Sequence, residues 1–344
     1  MRVATCLALF ASACFAELKS AGPLAFGPDG ILFVGDSLGG AVLAVDTGDR
    51  KAAAGGSVDI KGINEKIAAL LGTTADQIKI QDVVVNPLSK NLYLSVSRGP
   101  EATPVLLRTD ASGKFTEVSL DKVKHARVSL PDAPAADAKD GRGNSKRVET
   151  ITDIGFVDGK VIVAGLSNEE FASSLRSIPY PFRDAEKGAS IEIFHGAHGR
   201  FETNAPVRTF VNYSIDNKPH ILAAYTCTPL VRIPVSDLKA GNKVKGTTIA
   251  ELGNRNRPLD MIVYSKDGKD YFLMANSSRG VMKLPAAKLD SYTAITARTE
   301  KEGVPYETLA QFQGVQQLDK FNDSSALMMI TDGGTTSLRT VPLP

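Results

Sequence analysis

From residue 22 onward one short pattern recurs through the chain. An apolar run is followed by a turn rich in Pro, Asp, Gly or Asn, a second apolar run, a loop of small polar residues and a third run. The first copy, GPLAF-GPDG-ILFVG-DSLGG-AVLAVDT, spans 22–47, and others lie at 81–110, 152–180, 209–235, 258–285 and 316–343. The mean spacing of the six copies is about 59 residues, long enough for one supersecondary unit each. The apolar runs are too short for helices and rich in Val, Ile, Leu, Phe and Tyr, so they read as strands. Asp-Gly pairs between such runs mark hairpin turns.

A meander of three or four strands cannot bury both of its faces, so the copies must stack on one another. Four-stranded sheets stacked around an axis make an all-β, six-bladed β-propeller, here a single domain over 17–344. Fourth strands are expected at 57–60, 115–120, 190–195 and 247–252. The last copy ends at its third strand, so residues 17–20 are expected to supply the missing edge and close the ring. The competing arrangements are a seventh blade within 183–212 and a pair of β sandwiches. Two insertions break the rhythm. Residues 64–78 predict a short helix capped by Asn64, with Ile67, Leu70 and Leu71 on one face. Residues 131–147 lack periodicity and predict an exposed, mobile loop.

The first sixteen residues, MRVATCLALFASACFA, combine Arg2, an apolar stretch and a small-residue end. They read as a secretory signal peptide cleaved after Ala16, which points to a periplasmic or secreted protein. Cys6 and Cys14 would leave with it, making Cys227 the sole cysteine and excluding an internal disulfide. Cys227 is then either a small buried apolar residue or a reactive or metal-binding thiol. No other apolar run approaches the ~20 residues needed to span a membrane. Forty basic against 38 acidic side chains give a net charge of +2, no basis for nucleic-acid binding.

In a propeller the first strands begin, and the second strands end, around one mouth of the central channel, where binding residues belong. Aligning the copies on Phe26, Val85, Phe156 and Val263 puts Asp82, Asp153 and Asp260 at one position. Three carboxylates around an axis repel unless a cation or basic group joins them, and a hard cation such as Ca²⁺ takes oxygen ligands of this kind. The opposing reading makes each aspartate a strand cap within the repeat. The mouth loops add Asp36, Arg98, Asn168, Cys227, Asn276, Arg279 and Asp332, and Arg257 stands before the first strand of the fifth copy. Arg98, Arg257 and Arg279 suit an anionic ligand or neutralise the aspartates. His195 and His198, in FHGAHGRFE, are spaced to chelate a transition metal, but no third ligand lies nearby in sequence. His220 reads as structural and His125 as a loop residue. HExxH, CxxC and P-loop motifs are absent, and no nucleophile–base pair can be assigned.

The segment GPLAFGPDGILFVGDSLGGAVLAVD, and more loosely NPLSKNLYLSV and YSKDGKDYFLMAN, resemble the blades of six-bladed propellers of the gluconolactonase and NHL-repeat group. The resemblance covers essentially the whole mature chain as an architectural repeat. It implies a divalent cation held by a Glu before a Gly-Pro, with Asn and Asp from other blades. Here Ala21 precedes Gly22-Pro23, so that first ligand is missing. The functional expectation is an exported propeller that binds a small polar ligand or an extracytoplasmic protein at its mouth. The alternative is a metal-dependent hydrolase of lactones or esters, with one divalent cation at Asp82, Asp153 and Asp260. A third reading, an accessory to a periplasmic redox system, rests on Cys227 alone.

Overall fold

The computed structural model describes residues 18–52, 56–227 and 229–344. The leader read at 1–16 lies outside them. The repeat folds as expected, into six small antiparallel sheets around one axis, a six-bladed β-propeller. Blades are numbered here in chain order. Their innermost strands are Leu24–Phe26, Ile78–Val85, Asp153–Val157, Thr209–Ile215, Pro258–Lys266 and Val315–Lys320. The hairpin turns that follow explain the Asp-Gly pairs. Asp158-Gly159 and Asp267-Gly268 have positive φ at both residues (48° and 72°, 51° and 70°), the twist that lets two strands return side by side.

Six apolar clusters fill the six gaps between neighbouring blades. Leu32, Leu43, Tyr93 and Leu106 lie between blades one and two, and Val83, Leu94, Leu327 and Leu338 between blades two and six. Each large side chain buried in these gaps contributes ~1.5–3 kcal/mol. The contacts among the inner strands set the order around the ring as two, one, three, four, five, six and back to two.

That order departs from the chain order, and its cause is an exchange of outer strands. After the third strand of blade one, Ala41–Asp46, the chain does not finish its own blade. It crosses the face of blade two opposite the mouth, where Asp49 accepts hydrogen bonds from Ser89 Oγ (2.8 Å), Asn91 Nδ2 (2.9 Å) and the Tyr93 hydroxyl (3.0 Å). It then adds Asp59–Ile60 to the edge of blade six, pairing Ile60 with Leu338. Blade two is built next, and His125–Ser129 returns to complete blade one, pairing Val128 with Val42.

Several expectations are corrected here. The segment at 57–60 does form a strand, but in blade six. It provides the closing edge expected of residues 17–20, whose Lys19 and Ser20 instead bind Asp36. His125 opens a strand. Residues 183–212 hold no seventh blade: Ala189–His195 is the outer strand of blade three, and Arg200–Glu202 extends it. The strands expected at 115–120 and 247–252 are present as Thr116–Glu117 and Thr247–Leu252.

The helix runs Ile63–Leu71 between left-handed Gly62 and Gly72, so Asn64 is no cap. Asn64 reaches blade six, accepting from Thr336 N (3.0 Å) and donating to Gly334 O (3.3 Å). Ile63, Ile67 and Ala68 face the core, while Leu70 is 46% exposed. The loop at 131–147 is tied down at its start. Asp132 accepts from the fully buried Arg176 (2.7 Å) and from Gly188 N (2.9 Å), and Arg176 also donates to Thr150 O and Leu166 O.

Candidate functional site

The channel narrows where the inner strands carry Asp82, Asp153 and Asp260. In blades two, five and six a bulge just before this level inserts one extra residue, Gln81, Leu259 and Gln316 respectively. Such bulges re-aim the side chains beside them. Each aspartate then does the same work. Its Oδ1 accepts the N–H of the next residue, and its Oδ2 accepts an N–H from the neighbouring blade. Asp82 holds Val83 and Leu24, Asp153 holds Ile154 and Phe210, and Asp260 holds Met261 and Leu318, all at 2.7–2.8 Å.

In ring order the three aspartates occupy alternate blades and staple them in pairs: two to one, three to four, five to six. Asp319 repeats the device in blade six, tying it to Val85 of blade two at 2.6 Å. Burial raises all four carboxyls, Asp153 to about 7 and Asp319 to about 6. Asp82 and Asp260 are lifted further by neighbouring carboxylates of the ring.

Two cavities meet at this waist. Toward the mouth lies one of about 450 Å³ whose lining includes Lys79, Gln81, Glu149, Arg208, Arg257 and Gln317. On the opposite side is one of about 700 Å³ reached by Asp82, Asp153, Asp260 and Asp319. The lining passes from one to the other at consecutive residues, Gln81 to Asp82 and Leu259 to Asp260 among them. At the mouth Arg208 is ion-paired to Glu149 and donates to Thr226 Oγ1 (3.1 Å). Arg257 uses its main-chain N–H on Ser277 Oγ (2.9 Å), and its guanidinium has no hydrogen-bond or ion-pair partner among the described residues. Enclosure by the mouth and repulsion from Arg208 lower its pKa, against the pull of Glu149.

Of the residues expected at the mouth, Arg257 alone lines this cavity. Asp36 is buried and saturated by Ser20, Gly39 N and Arg127 (3.1 Å). Arg98 donates to Leu71 O at the helix end (3.4 Å), and Asn168 is exposed, donating its N–H to Asp132 O. Asn276 and Arg279 border a separate cavity of about 620 Å³ near blades five and six, with Asn276 donating to Asn256 Oδ1 and Arg279 to Asn254 O. Asp332 is exposed at a hairpin.

Sequence reasoning misses Lys79, Gln81, Glu149, Arg208 and Gln317. It also counts a GxSxG elbow as absent, although Gly35-Asp36-Ser37-Leu38-Gly39 has that spacing. Ser37 is no nucleophile here. Its hydroxyl donates to Ile151 O (3.0 Å) and accepts from Ile151 N (3.2 Å) at a blade junction.

A second cluster forms where blades three and four meet. The outer strand of blade three ends at His195, the turn adds His198, and the loop after Lys218–Ala224 of blade four brings Cys227. One ligand-capable atom from each lies within 4.8 Å of the others. This is the third donor that the sequence near the histidines does not show. Glu202 binds both rings, His195 Nδ1 at 2.9 Å and His198 Nδ1 at 2.7 Å. Burial would raise the Glu202 carboxyl, but the two imidazoles outweigh it and bring it to about 2. His220, in contrast, bonds Lys218 O (2.8 Å) and is structural, as expected.

No family model matches the chain, and no curated protein does. Solved structures similar to it are known at low identity. Virginiamycin B lyase of Staphylococcus aureus is 8% identical, covers 95% of this chain and 96% of its own, and has a TM-score of 0.39. A putative oxidoreductase (glucose dehydrogenase) of Thermus thermophilus is 12% identical, with coverage of 94% and 97% and a TM-score of 0.37. Drosophila Plexin A, in complex with Semaphorin 1b, is 10% identical, with coverage of 95% and 86% and a TM-score of 0.43. The fold class rests on the six sheets of the chain itself, and no helix among the described residues is long and apolar enough to cross a membrane.

Proposed function

We propose that this propeller binds a small anionic ligand in its mouth cavity. The observation behind the reading is the free guanidinium of Arg257 at the rim of a 450 Å³ cavity, beside an Arg208 already paired with Glu149. A carboxylate or phosphate takes a guanidinium bidentately, and the Ser97 hydroxyl, whose oxygen accepts from Gln81 Nε2 (2.9 Å), keeps its own proton for the rest of a polar molecule. The leader read at 1–16 makes that ligand extracytoplasmic. Calorimetric titration with phosphate, sulfate, citrate, gluconate and glucose tests this. The anions should bind, and Arg257→Ala should weaken them roughly 10- to 100-fold, the worth of one charge-assisted contact. Glucose binding as tightly as gluconate, or an unaffected Arg257→Ala variant, would refute it.

A second reading, hydrolysis of a lactone or ester with Ca²⁺ at Asp82, Asp153 and Asp260, is supported by the carboxylate repulsion within the ring, of Asp153 and Asp319 on Asp82 and of Asp82 and Asp153 on Asp260. The donors are the hard oxygens that Ca²⁺ takes, but each already accepts a main-chain N–H, so a cation would have to share them. Stoichiometric Ca²⁺ lost in an Asp153→Asn/Asp260→Asn double variant would favour this reading. A melting temperature indifferent to EDTA would remove it.

A further inference from the structure

We propose that His195, His198 and Cys227 form a binding site for a borderline-soft transition-metal ion such as Zn²⁺, at the junction of blades three and four. The donor set is two imidazoles and one thiolate, which suits Zn²⁺ or its spectroscopic substitute Co²⁺ and does not suit Ca²⁺ or Mg²⁺. The ligand-capable atoms lie within 4.8 Å of one another. Four-coordinate binding with bonds of about 2.0–2.3 Å needs separations of roughly 3.4–3.8 Å, so side-chain adjustment of about an ångström closes the set.

Three independent features favour a site over a chance cluster. First, His195 is 3% exposed, yet its Nε2 has no hydrogen-bond partner among the described residues. A buried imidazole nitrogen left unpaired is costly, and a bound metal would satisfy it. Second, Glu202 occupies Nδ1 of both rings, so the nitrogen left on each is Nε2. A carboxylate on the far nitrogen is how metal-ligating histidines are held and made more basic. Third, the donors converge from two blades on a well-packed junction. The His195 and His198 rings lie 3.9 Å apart, and Cys227 N–H is fixed on Asn256 O at 2.8 Å.

On binding, the Cys227 thiol gives its proton to solvent and the sulfur joins the metal as thiolate. Three protein ligands leave one position for water or an incoming ligand. Thr226, next to Cys227, accepts from Arg208, which lines the mouth cavity.

The test is a Co²⁺ titration of the whole purified protein. One equivalent should bind with a thiolate-to-cobalt charge-transfer band and the intense visible absorption of four-coordinate cobalt, and Zn²⁺ should displace it. Cys227→Ser should abolish the band. His198→Ala, at an exposed side chain, should leave the melting temperature in place while weakening Co²⁺ at least 10-fold, and Glu202→Gln should weaken it about 10- to 100-fold. Asp153→Asn/Asp260→Asn should leave the cobalt signal unchanged, which separates this site from the channel aspartates. No charge-transfer band at saturating Co²⁺ would overturn the proposal. So would a band that survives Cys227→Ser, or affinity unmoved in both His198→Ala and Glu202→Gln.

Discussion

The channel aspartates and the His195–His198–Cys227 cluster are both gatherings of metal-capable side chains, and they differ in what their polar atoms already hold. At the waist every oxygen of Asp82, Asp153 and Asp260 accepts a main-chain N–H, half of them from a neighbouring blade. At the blade-three junction one carboxylate orients two imidazoles, and a buried nitrogen remains unpaired. The first arrangement has a complete structural account in its own hydrogen bonds, and the second does not. Counting convergent carboxylates would rank the waist first. Asking which buried atoms lack a partner ranks the junction first.

The largest effect that would separate the two regions is on stability. Asp153→Ala strands the N–H groups of Ile154 and Phe210 and unties blade three from blade four. It should cost roughly 2–4 kcal/mol in denaturant unfolding, against about 1 kcal/mol for Asp153→Asn, which keeps an acceptor. A cost below about 0.5 kcal/mol would break the staple account.

The next effect is on pH. The carboxyls of Asp82, Asp153, Asp260 and Asp319 titrate higher in the folded protein than in the unfolded chain, chiefly through burial, with Lys90 partly offsetting Asp319. The folded state therefore holds protons that the unfolded state has released, and stability falls as pH rises from ~4 through about 7. Melting should occur at a higher temperature at roughly pH 5.5 than at about pH 8. Asp153→Asn should shrink that difference, and an unchanged difference would contradict the burial argument. The channel wets one edge of each carboxylate, which moderates the size of the effect.

The smallest effect belongs to the sites. Arg257→Ala and His198→Ala remove exposed groups that lie outside the six apolar clusters, and both should unfold within about 0.5 kcal/mol of the parent protein. A larger loss in either would move that residue from ligand binding to structure.

Much of this molecule is legible in its sequence, and the illegible remainder has a common cause. Periodicity of apolar runs and Asp-Gly turns locates the three inner strands of every blade to within a few residues. Leu24–Phe26, for instance, starts two residues later than its copy in the repeat. Repeat alignment also finds the staple position. It does not say which copies are neighbours, because every blade presents similar apolar faces. The strand at 57–60 is anticipated, but two residues, Asp59–Ile60, carry no mark of the blade they join, and His125–Ser129 escapes notice because it carries His and Arg in place of an apolar run. Cys227 and His195 are far apart in sequence and in different copies, so no spacing rule joins them. Arg208 stands just before a strand that reads as ordinary repeat.

The exchange of outer strands also dictates an order of assembly. Strands at Ile31–Asp36 and Ala41–Asp46 are synthesised before blade two, yet their sheet has no outer edge until His125–Ser129 follows it. Asp59–Ile60 waits far longer, since the strand it pairs with, Thr335–Pro342, is synthesised only after all the intervening blades. Its docking joins the early chain to the late one, the kind of long-range pairing that makes folding slow. Until then the apolar face of blade six that Val58, Ile60 and Ile63 will cover stays open, the exposed surface on which folding intermediates aggregate.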